Sequence, residues 1–461
     1  MAAEATRQKV IRSTDENIRQ QYEQYLTPRE TAFLAVSMFS DINSEPIKCL
    51  DLGAGTGILS TALFERYGKA VDVFAVELDE VLAKICDKEL SSHGVPHQVF
   101  VDDAITKSFN TQFDRVILNP PYKKMATTDS RQNLLPVSCP NLYAAFIMKA
   151  VQVLRPNGEC VAIVPRSWTN GEYFSSFRNW LYQRVSIDWI HVYGSRTDIF
   201  SDTNVLQETV LLKLSKKAQA PVIRITESVG KNTAITLNEY PDKDVICGFS
   251  GKKIVQIKPV KLSKHKNLFP LRIFGLLAST GKVVDFRSRD KTMLESGKDR
   301  LPLIYPCNFT KTGFCHPVQT EKKQWFWCRD EKDKNLLLGP GNYVIVKRFS
   351  SKEEKKRVKA YAFNTSVPVA LENHLNFIHA GNPRNAVPLT IDLAKGLSIW
   401  LNSTVVDEWF RSISGSTQVN ASDLNRLPTP CLNDLKKISV FWKSDLSQEE
   451  IDRICGGLIN E

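Results

Sequence analysis

The first half of the chain alternates short apolar runs with longer segments of helical periodicity, and each apolar run ends in polar or glycine residues. Such runs, rich in Val, Ile, Leu and Phe, predict buried strands, and the segments between them predict helices. The predicted strands cover residues 47–52, 71–76, 98–101, 113–118, 160–165, 189–193 and 209–212. Strands that alternate with helices predict an α/β domain with a mostly parallel sheet, whose ligands bind at the carboxyl ends of the strands.

A helix with a strong start signal is predicted before the first strand. Residues 1–25 are polar and charged and predict a helical lead-in. Thr27 as N-cap, Pro28 at the first helical position and Glu30 at the third predict a capping box. The apolar run 33–39 then supplies the body of the helix.

Polar residues follow the first three predicted strands. The first strand runs into Asp51-Leu52-Gly53-Ala54-Gly55-Thr56-Gly57, and glycines at this spacing permit a tight turn and close approach of the backbone to a ligand. Taken alone, such a turn serves NAD, FAD or another nucleoside. Glu77 ends the second strand, where a carboxylate can hold both ribose hydroxyls, and Asp102 and Asp103 end the third.

The fourth strand ends in Asn119-Pro120-Pro121-Tyr122. The Asn119 side chain offers a carbonyl oxygen to a planar amine, and Pro120 restricts Asn119 to an extended backbone. Because both prolines have a fixed φ, the Pro120 carbonyl is a second rigid acceptor. Tyr122 offers a flat face on which a base can stack. The motif predicts a clamp for an exocyclic amino group, and a stiff turn with an aromatic lid is the alternative.

Charge divides the chain into two unequal parts. Residues 1–225 hold 25 Lys and Arg against 25 Asp and Glu, so the net charge of +11 lies entirely in residues 226–461. A neutral front half with a basic back half is typical of a catalytic domain joined to a domain that binds a polyanion. An ordinary solvated surface is the alternative reading of the same charges.

Several classes of protein are disfavoured by composition. The sequence has no apolar run of 18 residues, so we expect no membrane span, and residues 1–7 lack the apolar core of a signal peptide. Ten cysteines occur without a Cys-x-x-Cys pair, which argues against a zinc site and a disulfide framework. We therefore expect a cytoplasmic protein without a metal.

The glycine-rich turn together with Asn119-Pro120-Pro121-Tyr122 resembles the motif pair of amino-group methyltransferases that use S-adenosylmethionine. Asn-Pro-Pro-Tyr marks the nitrogen-methylating branch, mostly adenine-N6 DNA methyltransferases. With the cofactor motifs first and a large recognition region last, the chain is similar to the gamma class, TaqI/Eco57I-like, of type II restriction–modification systems. Gln24-Tyr25-Leu26-Thr27-Pro28 resembles the leading motif of that class, Gln-Phe-Phe-Thr-Pro, with Tyr-Leu in place of Phe-Phe.

This resemblance implies a set of site residues. Thr27 and Pro28 would border the methionine end of the cofactor, Glu77 would bind its ribose, and Asp103 its adenine amine, with Asp102 as the alternative. The cofactor residues that it implies are Thr27, Pro28, Asp51, Gly53, Gly55, Gly57, Glu77 and Asp103. The catalytic residues that it implies are Asn119, Pro120, Pro121 and Tyr122.

A second aromatic residue is expected at the target base. In the gamma class an aromatic side chain just before the last strand of the sheet stacks on the opposite face of the flipped base. The resemblance assigns this role to Phe200, so that Tyr122 and Phe200 would enclose the base. Tyr193 is the rival for the role, and a plain core position is the alternative for Phe200.

The late segments 396–403 and 415–424 resemble the closing part of gamma-type recognition domains, especially those of the PstI/BsuBI-like group. The resemblance hints at a palindromic target such as CTGCAG. It implies a monomer that acts on double-stranded DNA beside a companion restriction endonuclease, encoded separately.

The sequence therefore predicts a Rossmann-like S-adenosylmethionine-dependent methyltransferase domain in residues 1–225 and an α+β DNA target-recognition domain in residues 226–461. The expected activity is transfer of a methyl group to N6 of a flipped adenine, which protects host DNA. An RNA or protein glutamine methyltransferase is one alternative, since a carboxamide is also planar. A non-catalytic DNA-binding module is the other.

Overall fold

The computed structural model describes residues 2–13, 26–42, 46–193, 208–228, 235–249, 252–259, 268–310, 313–350, 354–414 and 417–459. The chain divides into two units, Met1–Ile257 and Lys258–Glu461. Each unit buries apolar side chains of its own. In the part of the chain that the structure describes, no helix is long and apolar enough to cross a membrane.

One sheet organises the first unit. Its strands are β1 Ile47–Leu52, β2 Val71–Glu77, β3 His97–Val101, β4 Phe113–Leu118, β5 Leu154–Pro165, β6 Ser186–Tyr193, β7 Thr209–Ser215, β8 Val222–Ser228 and β9 Thr236–Pro241. Their spatial order is β3-β2-β1-β4-β5-β7-β6-β8-β9. The first five are parallel to one another, and β7 runs antiparallel to both of its neighbours. This strand order confirms the predicted Rossmann-like sheet.

Helices cover both faces of this sheet. They are α1 Ala2–Ser13, α2 Arg29–Ser37, α3 Ile58–Tyr67, α4 Glu80–Ser92, α5 Leu142–Val153, α6 Ser175–Tyr182 and the short α7 Asp242–Val245. Side chains of a strand point alternately to the two faces. In β1, Leu50 and Leu52 therefore join the apolar cluster that contains α5, whereas Ile47 and Cys49 join the cluster that contains α2 and α3.

The chain reverses its direction of winding between β1 and β4. β2 and β3 extend the sheet on one side of β1, and β4 and β5 extend it on the other. A crevice opens at the carboxyl ends of strands at such a switch point. Because Leu52 of β1 pairs with Leu118 of β4, the glycine-rich turn and the Asn119 motif leave the sheet at the same edge.

The predicted capping box does not form, which corrects the expected start of α2. Pro28 is the N-cap residue, and no side-chain hydrogen bond caps α2 among the described residues. Instead α1 supports this segment: Arg7 donates to the Leu26 carbonyl at 3.1 Å, and the Arg29 backbone N–H donates to Glu4 at 3.2 Å. The Thr27 hydroxyl accepts a hydrogen bond from the Asn119 side chain instead of capping α2.

The boundary between the units lies after Ile257 and not after residue 225, where it was predicted. Residue 225 lies inside β8, which pairs with β6 on one side and β9 on the other. The hairpin β10 Ile246–Phe249 and β11 Lys252–Val255 also belongs to the first unit. Residues 226–257 hold four basic and four acidic residues, so the whole charge of +11 still lies in the second unit.

The second unit contains two five-stranded sheets and a group of helices. Its strands are β12 Phe269–Pro270, β13 Leu276–Thr280, β14 Thr292–Met293, β15 Arg300–Ile304, β16 Phe309–Thr310, β17 Gly313–Phe314, β18 Trp325–Trp327, β19 Leu337–Leu338, β20 Gly341–Lys347, β21 Ala360–Thr365, β22 Val369–Leu371, β23 Leu375–Asn382, β24 Asn385–Val387 and β25 Pro428–Thr429. Its helices are α8 Glu331–Lys334, α9 Ile391–Leu401, α10 Thr404–Ile413, α11 Ala421–Leu424, α12 Leu432–Ile438 and α13 Gln448–Ile459. The unit is therefore α+β, as predicted.

Candidate active site

The Asn119 side chain lies half-buried directly after β4. Its amide nitrogen donates to the Thr27 hydroxyl at 2.9 Å, and its amide oxygen accepts a hydrogen bond from the Tyr122 hydroxyl at 3.3 Å. These two contacts fix the orientation of the amide and place the nitrogen toward α2. A carbonyl oxygen has two lone pairs and can therefore accept more than one hydrogen bond.

Tyr122 is buried, with 4% of its surface exposed. Its hydroxyl also lies 3.4 Å from the Ile163 carbonyl, and its ring meets the Tyr143 ring edge-on at 6.4 Å between centroids. Tyr143 is fixed in turn by a 3.0 Å hydrogen bond to Ser167. Tyr122 therefore holds the Asn119 side chain by a hydrogen bond, a contact that the sequence did not suggest. Its role in stacking on a base stays a prediction.

The glycine-rich turn adopts a backbone that other residues disfavour. Gly53, Gly55 and Gly57 all have positive φ, between 57° and 85°. A Cβ at Gly57 would lie 2.9 Å from the Cys86 sulfur, and a Cβ at Gly55 would lie 3.1 Å from Leu26. The predicted leading motif, of which residues 24 and 25 lie outside the described part, thus meets the glycine turn through Leu26.

Asp51 lies at the end of β1 and is fully buried. One carboxylate oxygen accepts a hydrogen bond from Ser60 at 2.7 Å, and the other has no hydrogen-bond partner among the described residues. Burial raises the pKa of Asp51 to about 7. A buried carboxylate oxygen without a donor is costly, so this position fits a ligand that brings a donor or a positive charge.

Glu77 ends β2 beside the glycine turn. Its two carboxylate oxygens accept hydrogen bonds from the backbone N–H groups of Gly55 at 2.8 Å and Asp79 at 2.9 Å. Burial raises the pKa of Glu77. Leu78 and Val81, one and four residues after Glu77, are 65% and 66% exposed, and exposed apolar side chains are found on surfaces that a ligand covers. No pattern in the sequence marks these two residues as part of a site.

Asp102 and Asp103 both follow β3, and both have partners. Asp102 accepts from the Asp103 backbone and forms an ion pair with Lys107 at 3.2 Å. Asp103 accepts from the Ile105 backbone N–H at 2.8 Å and from Arg131 at 3.1 Å. The choice between the two aspartates as partner of the cofactor adenine therefore stays open.

These groups fit S-adenosylmethionine. The cofactor has a charged amino-acid end, a ribose diol and an adenine ring. Asp51 offers a buried acceptor for a cationic donor, Glu77 a carboxylate for a diol, and Leu78 with Val81 an apolar seat for a planar ring. The glycine turn lets the backbone approach such a molecule closely.

The second stacking residue is not placed by the structure. Phe200 lies outside the described residues, and so do the flanking segments 194–199 and 201–207. The rival Tyr193 ends β6 half-buried, with its ring edge-on to His191 at 4.7 Å. Neither assignment is tested.

Comparison with known proteins identifies the family. Residues 58–200 match the Eco57I restriction-modification methylase family. The chain is 31% identical over 477 residues to the type II methyltransferase M.PstI of Providencia stuartii, covering 95% of this chain and 93% of that protein. It is 33% identical over 468 residues to the type II methyltransferase M.BsuBI of Bacillus subtilis, covering 93% and 92%.

A solved structure of similar fold is the type IIL restriction-modification enzyme MmeI in complex with DNA. It matches with a TM-score of 0.58 at 12% identity and covers 98% of this chain and 73% of that chain. At this identity the likeness shows the fold alone. The two type II methyltransferases, matched over more than nine-tenths of their lengths, show more: this chain belongs to the type II methyltransferases of restriction–modification systems, and its cofactor is S-adenosylmethionine.

Proposed function

We propose that this protein methylates N6 of an adenine in double-stranded DNA at one defined site. The observation that carries the proposal is the oriented amide of Asn119, whose nitrogen donates to Thr27 at 2.9 Å and whose oxygen accepts from Tyr122 at 3.3 Å. The adenine amine would donate one N–H to this oxygen and the other to the Pro120 carbonyl. Two acceptors suit an amine with two hydrogens.

The clamp addresses the weakness of the nucleophile. The lone pair of an adenine amine is delocalised into the ring, and two hydrogen bonds from its N–H groups favour a pyramidal nitrogen. Positive charge develops on that nitrogen as it attacks, and two fixed carbonyl dipoles stabilise it. When bound, S-adenosylmethionine supplies an activated methyl group with a neutral thioether as leaving group. Asn119 and Pro120 thus orient the amine and stabilise its charge.

The base must leave the duplex to reach this site. Flipping costs roughly a few kcal/mol, and stacking on an aromatic side chain returns about 1–3 kcal/mol per base. Tyr122, and Phe200 or Tyr193, are the proposed stacking residues. The charge of +11 in residues 258–461 supports a second unit that holds the DNA backbone.

The biological role would be protection of host DNA from a companion restriction endonuclease, encoded separately. We propose a monomer in the cytoplasm and a palindromic target resembling CTGCAG. The residues proposed for the cofactor are Thr27, Pro28, Asp51, Gly53, Gly55, Gly57, Glu77 and Asp103, with Pro121 holding the clamp rigid.

The proposal is tested with the full-length protein, S-adenosylmethionine and unmethylated genomic DNA. Single-molecule sequencing should show N6-methyladenine in one recurring sequence. Asn119→Ala should lower the rate at least tenfold, which corresponds to about 1.4 kcal/mol, because the amine loses an acceptor. Asn110→Ala is the matched control, since Asn110 is exposed and lies before the amino end of β4, whereas Asn119 follows the carboxyl end. Methylation of cytosine would refute the assignment to adenine, and full activity of the Asn119 variant would refute the clamp.

A further inference from the structure

Arg131 joins two carboxylates that come from different parts of the first unit. Its Nε and Nη2 donate to the two oxygens of Asp129 at 3.0 and 2.7 Å, and its Nη1 donates to Asp103 at 3.1 Å. The bidentate contact lowers the pKa of Asp129 to about 2. Fork-shaped pairing of this kind fixes direction as well as distance, so Arg131 holds one geometry relative to both acids.

The loop that carries Arg131 is itself anchored. It begins at Lys123, directly after the Asn119 motif, and ends before α5. Its base is closed by hydrogen bonds from Met125 N to Pro140 O at 2.8 Å and from Leu142 N to Lys123 O at 2.9 Å. The position of Arg131 is therefore set relative to the catalytic motif rather than by the loop alone.

Asp103 is oriented from both sides. One oxygen accepts from the Ile105 backbone N–H and the other from Arg131. The adjacent Asp102 backbone N–H donates to the Glu77 carbonyl at 3.0 Å, which ties this turn to the end of β2. Each Asp103 oxygen retains a second acceptor site, and its direction is fixed by the two donors.

We propose that Arg131 is a positioning residue for the cofactor: it holds the Asp103 carboxylate in the orientation that accepts a hydrogen bond from the cofactor's adenine amine. This inference rests on the proposed function and on Asp103 as the adenine partner. It makes the loop after the catalytic motif part of the cofactor site. Lysine cannot replace Arg131 here, because a single ammonium lacks the planar fork that spans two carboxylates.

The test compares two ligands that differ at C6 of the purine, where Asp103 would contact the cofactor, and at the neighbouring N1. S-adenosylhomocysteine has an amine on C6 and an acceptor at N1, and S-inosylhomocysteine has a carbonyl on C6 and a hydrogen on N1. Calorimetry on the full-length wild-type protein should show at least a tenfold preference for the adenosyl form. Arg131→Ala and Arg131→Lys should each reduce this preference at least threefold, because the carboxylate loses its fixed direction. Asp103→Ala should abolish the preference, and Arg131→Ala should change nothing further in that background.

Two controls separate positioning from folding. Arg155→Ala removes an arginine that pairs with Asp114 at 2.5 Å, at the amino ends of β4 and β5. This variant should leave the preference for the adenosyl ligand unchanged. A general loss of structure weakens both ligands alike, so the ratio of their dissociation constants reports positioning alone. If Arg131→Ala does not fold, Arg131→Lys and Asp129→Ala serve in its place. The same fall in the ratio of the two dissociation constants is expected for both variants.

Three outcomes would overturn the inference. An unchanged ratio in the Arg131 variants would show that Arg131 is only structural. A higher preference in these variants would show that Arg131 restrains Asp103 unproductively. An unchanged ratio in Asp103→Ala would remove Asp103 from the adenine site, and the inference with it. That last result would leave Asn119-dependent methyl transfer, and so the proposed function, intact.

Discussion

The amide of Asn119 is held at both ends by the hydroxyl groups of two side chains. The Thr27 hydroxyl accepts a hydrogen bond from the amide nitrogen, and the Tyr122 hydroxyl donates one to the amide oxygen. The two partners are buried, with 3% and 4% of their surfaces exposed. An amide fixed in this way meets the substrate without reorganising, which is where electrostatic stabilisation gains most.

Thr27→Ala should therefore slow methyl transfer about tenfold, since the Asn119 amide loses the partner that fixes its direction. Thr27→Ser should retain most of the wild-type rate, because its hydroxyl can accept the same hydrogen bond. Single-turnover rates and the dissociation constant of S-adenosylhomocysteine should be measured together. If the affinity for the cofactor product falls in parallel with the rate, Thr27 serves the cofactor, as the family resemblance implies, and not the amide.

Asp51 should make stability depend on pH. Its pKa in the folded protein is raised to about 7, whereas the unfolded chain has an ordinary carboxyl pKa near 3.8. Between about pH 4 and pH 7 the folded state holds a proton that the unfolded state has released. The stabilisation is present below about pH 4 and is lost as the pH rises to about 7, by up to about 1.4 kcal/mol per pH unit.

Asp51→Asn should remove this dependence, because the amide has nearly the shape of the carboxyl group and does not titrate. The free energy of unfolding is measured by urea denaturation at several pH values between 4.5 and 7, without cofactor. Asp41→Asn, which changes a carboxylate 96% exposed and paired with an arginine, is the matched control and should keep the wild-type slope. A wild-type slope in the Asp51 variant would assign the titration to another group.

Helix α1 stabilises the segment that carries Thr27. Arg7, 2% exposed, pairs with Glu4 at 2.7 Å and donates to the Leu26 carbonyl, and Glu4 accepts from the Arg29 backbone. The start of α2 is thus held by a neighbouring helix and not by a cap of its own. The chain before the first strand is part of the site, because its contacts set where Thr27 lies.

Arg7→Ala should lower the free energy of unfolding by about 2 kcal/mol, since Glu4 and the Leu26 carbonyl lose a charged donor. Amide hydrogen exchange should rise in residues 26–37, and urea denaturation should show the loss. Lys84→Ala is the control: it removes an exposed ion pair with Glu80 within α4 and should change neither measurement. Unaltered exchange in residues 26–37 would contradict a supporting role of α1.

The two units differ in charge and, we propose, in task. Residues 1–257 have no net charge, and residues 258–461 carry the whole net charge of +11. Affinity for DNA that comes from phosphate contacts depends steeply on salt, because each contact releases counterions. The second unit is therefore expected to supply most of the affinity for DNA, and the first unit the affinity for the cofactor.

Fragments 1–257 and 258–461 should separate these properties. The second fragment should bind duplex DNA with log K falling by roughly 0.9 per phosphate contact for each unit of log salt. The first should bind S-adenosylhomocysteine and hold DNA weakly. Circular dichroism checks that each fragment is folded, and the full chain on the same duplex is the reference. A first fragment that carries most of the affinity and slope would contradict this division.

Much of the catalytic unit follows from the sequence by itself, because its signals are local. Apolar runs and helical periodicity predicted the strands and helices around the switch point, and these are confirmed. The positive φ of Gly53, Gly55 and Gly57 is a property that glycine permits wherever it occurs. The Asn119 motif follows β4 and Glu77 is the last residue of β2, so their place at the carboxyl ends of the strands could be read from order along the chain.

Tertiary structure alone decided the contacts that make these residues a site. Thr27 and Asn119 are 92 residues apart and Arg131 and Asp103 are 28 apart, and no local pattern marks either pair. The boundary after Ile257 likewise depends on β8 pairing with β6 of the first sheet and on β9 pairing with β8. The cap predicted from Thr27 does not form: the Thr27 hydroxyl accepts from the Asn119 amide, and Glu4 of α1 accepts from the Arg29 backbone N–H. Local propensity is a weak preference, and contacts between distant segments override it.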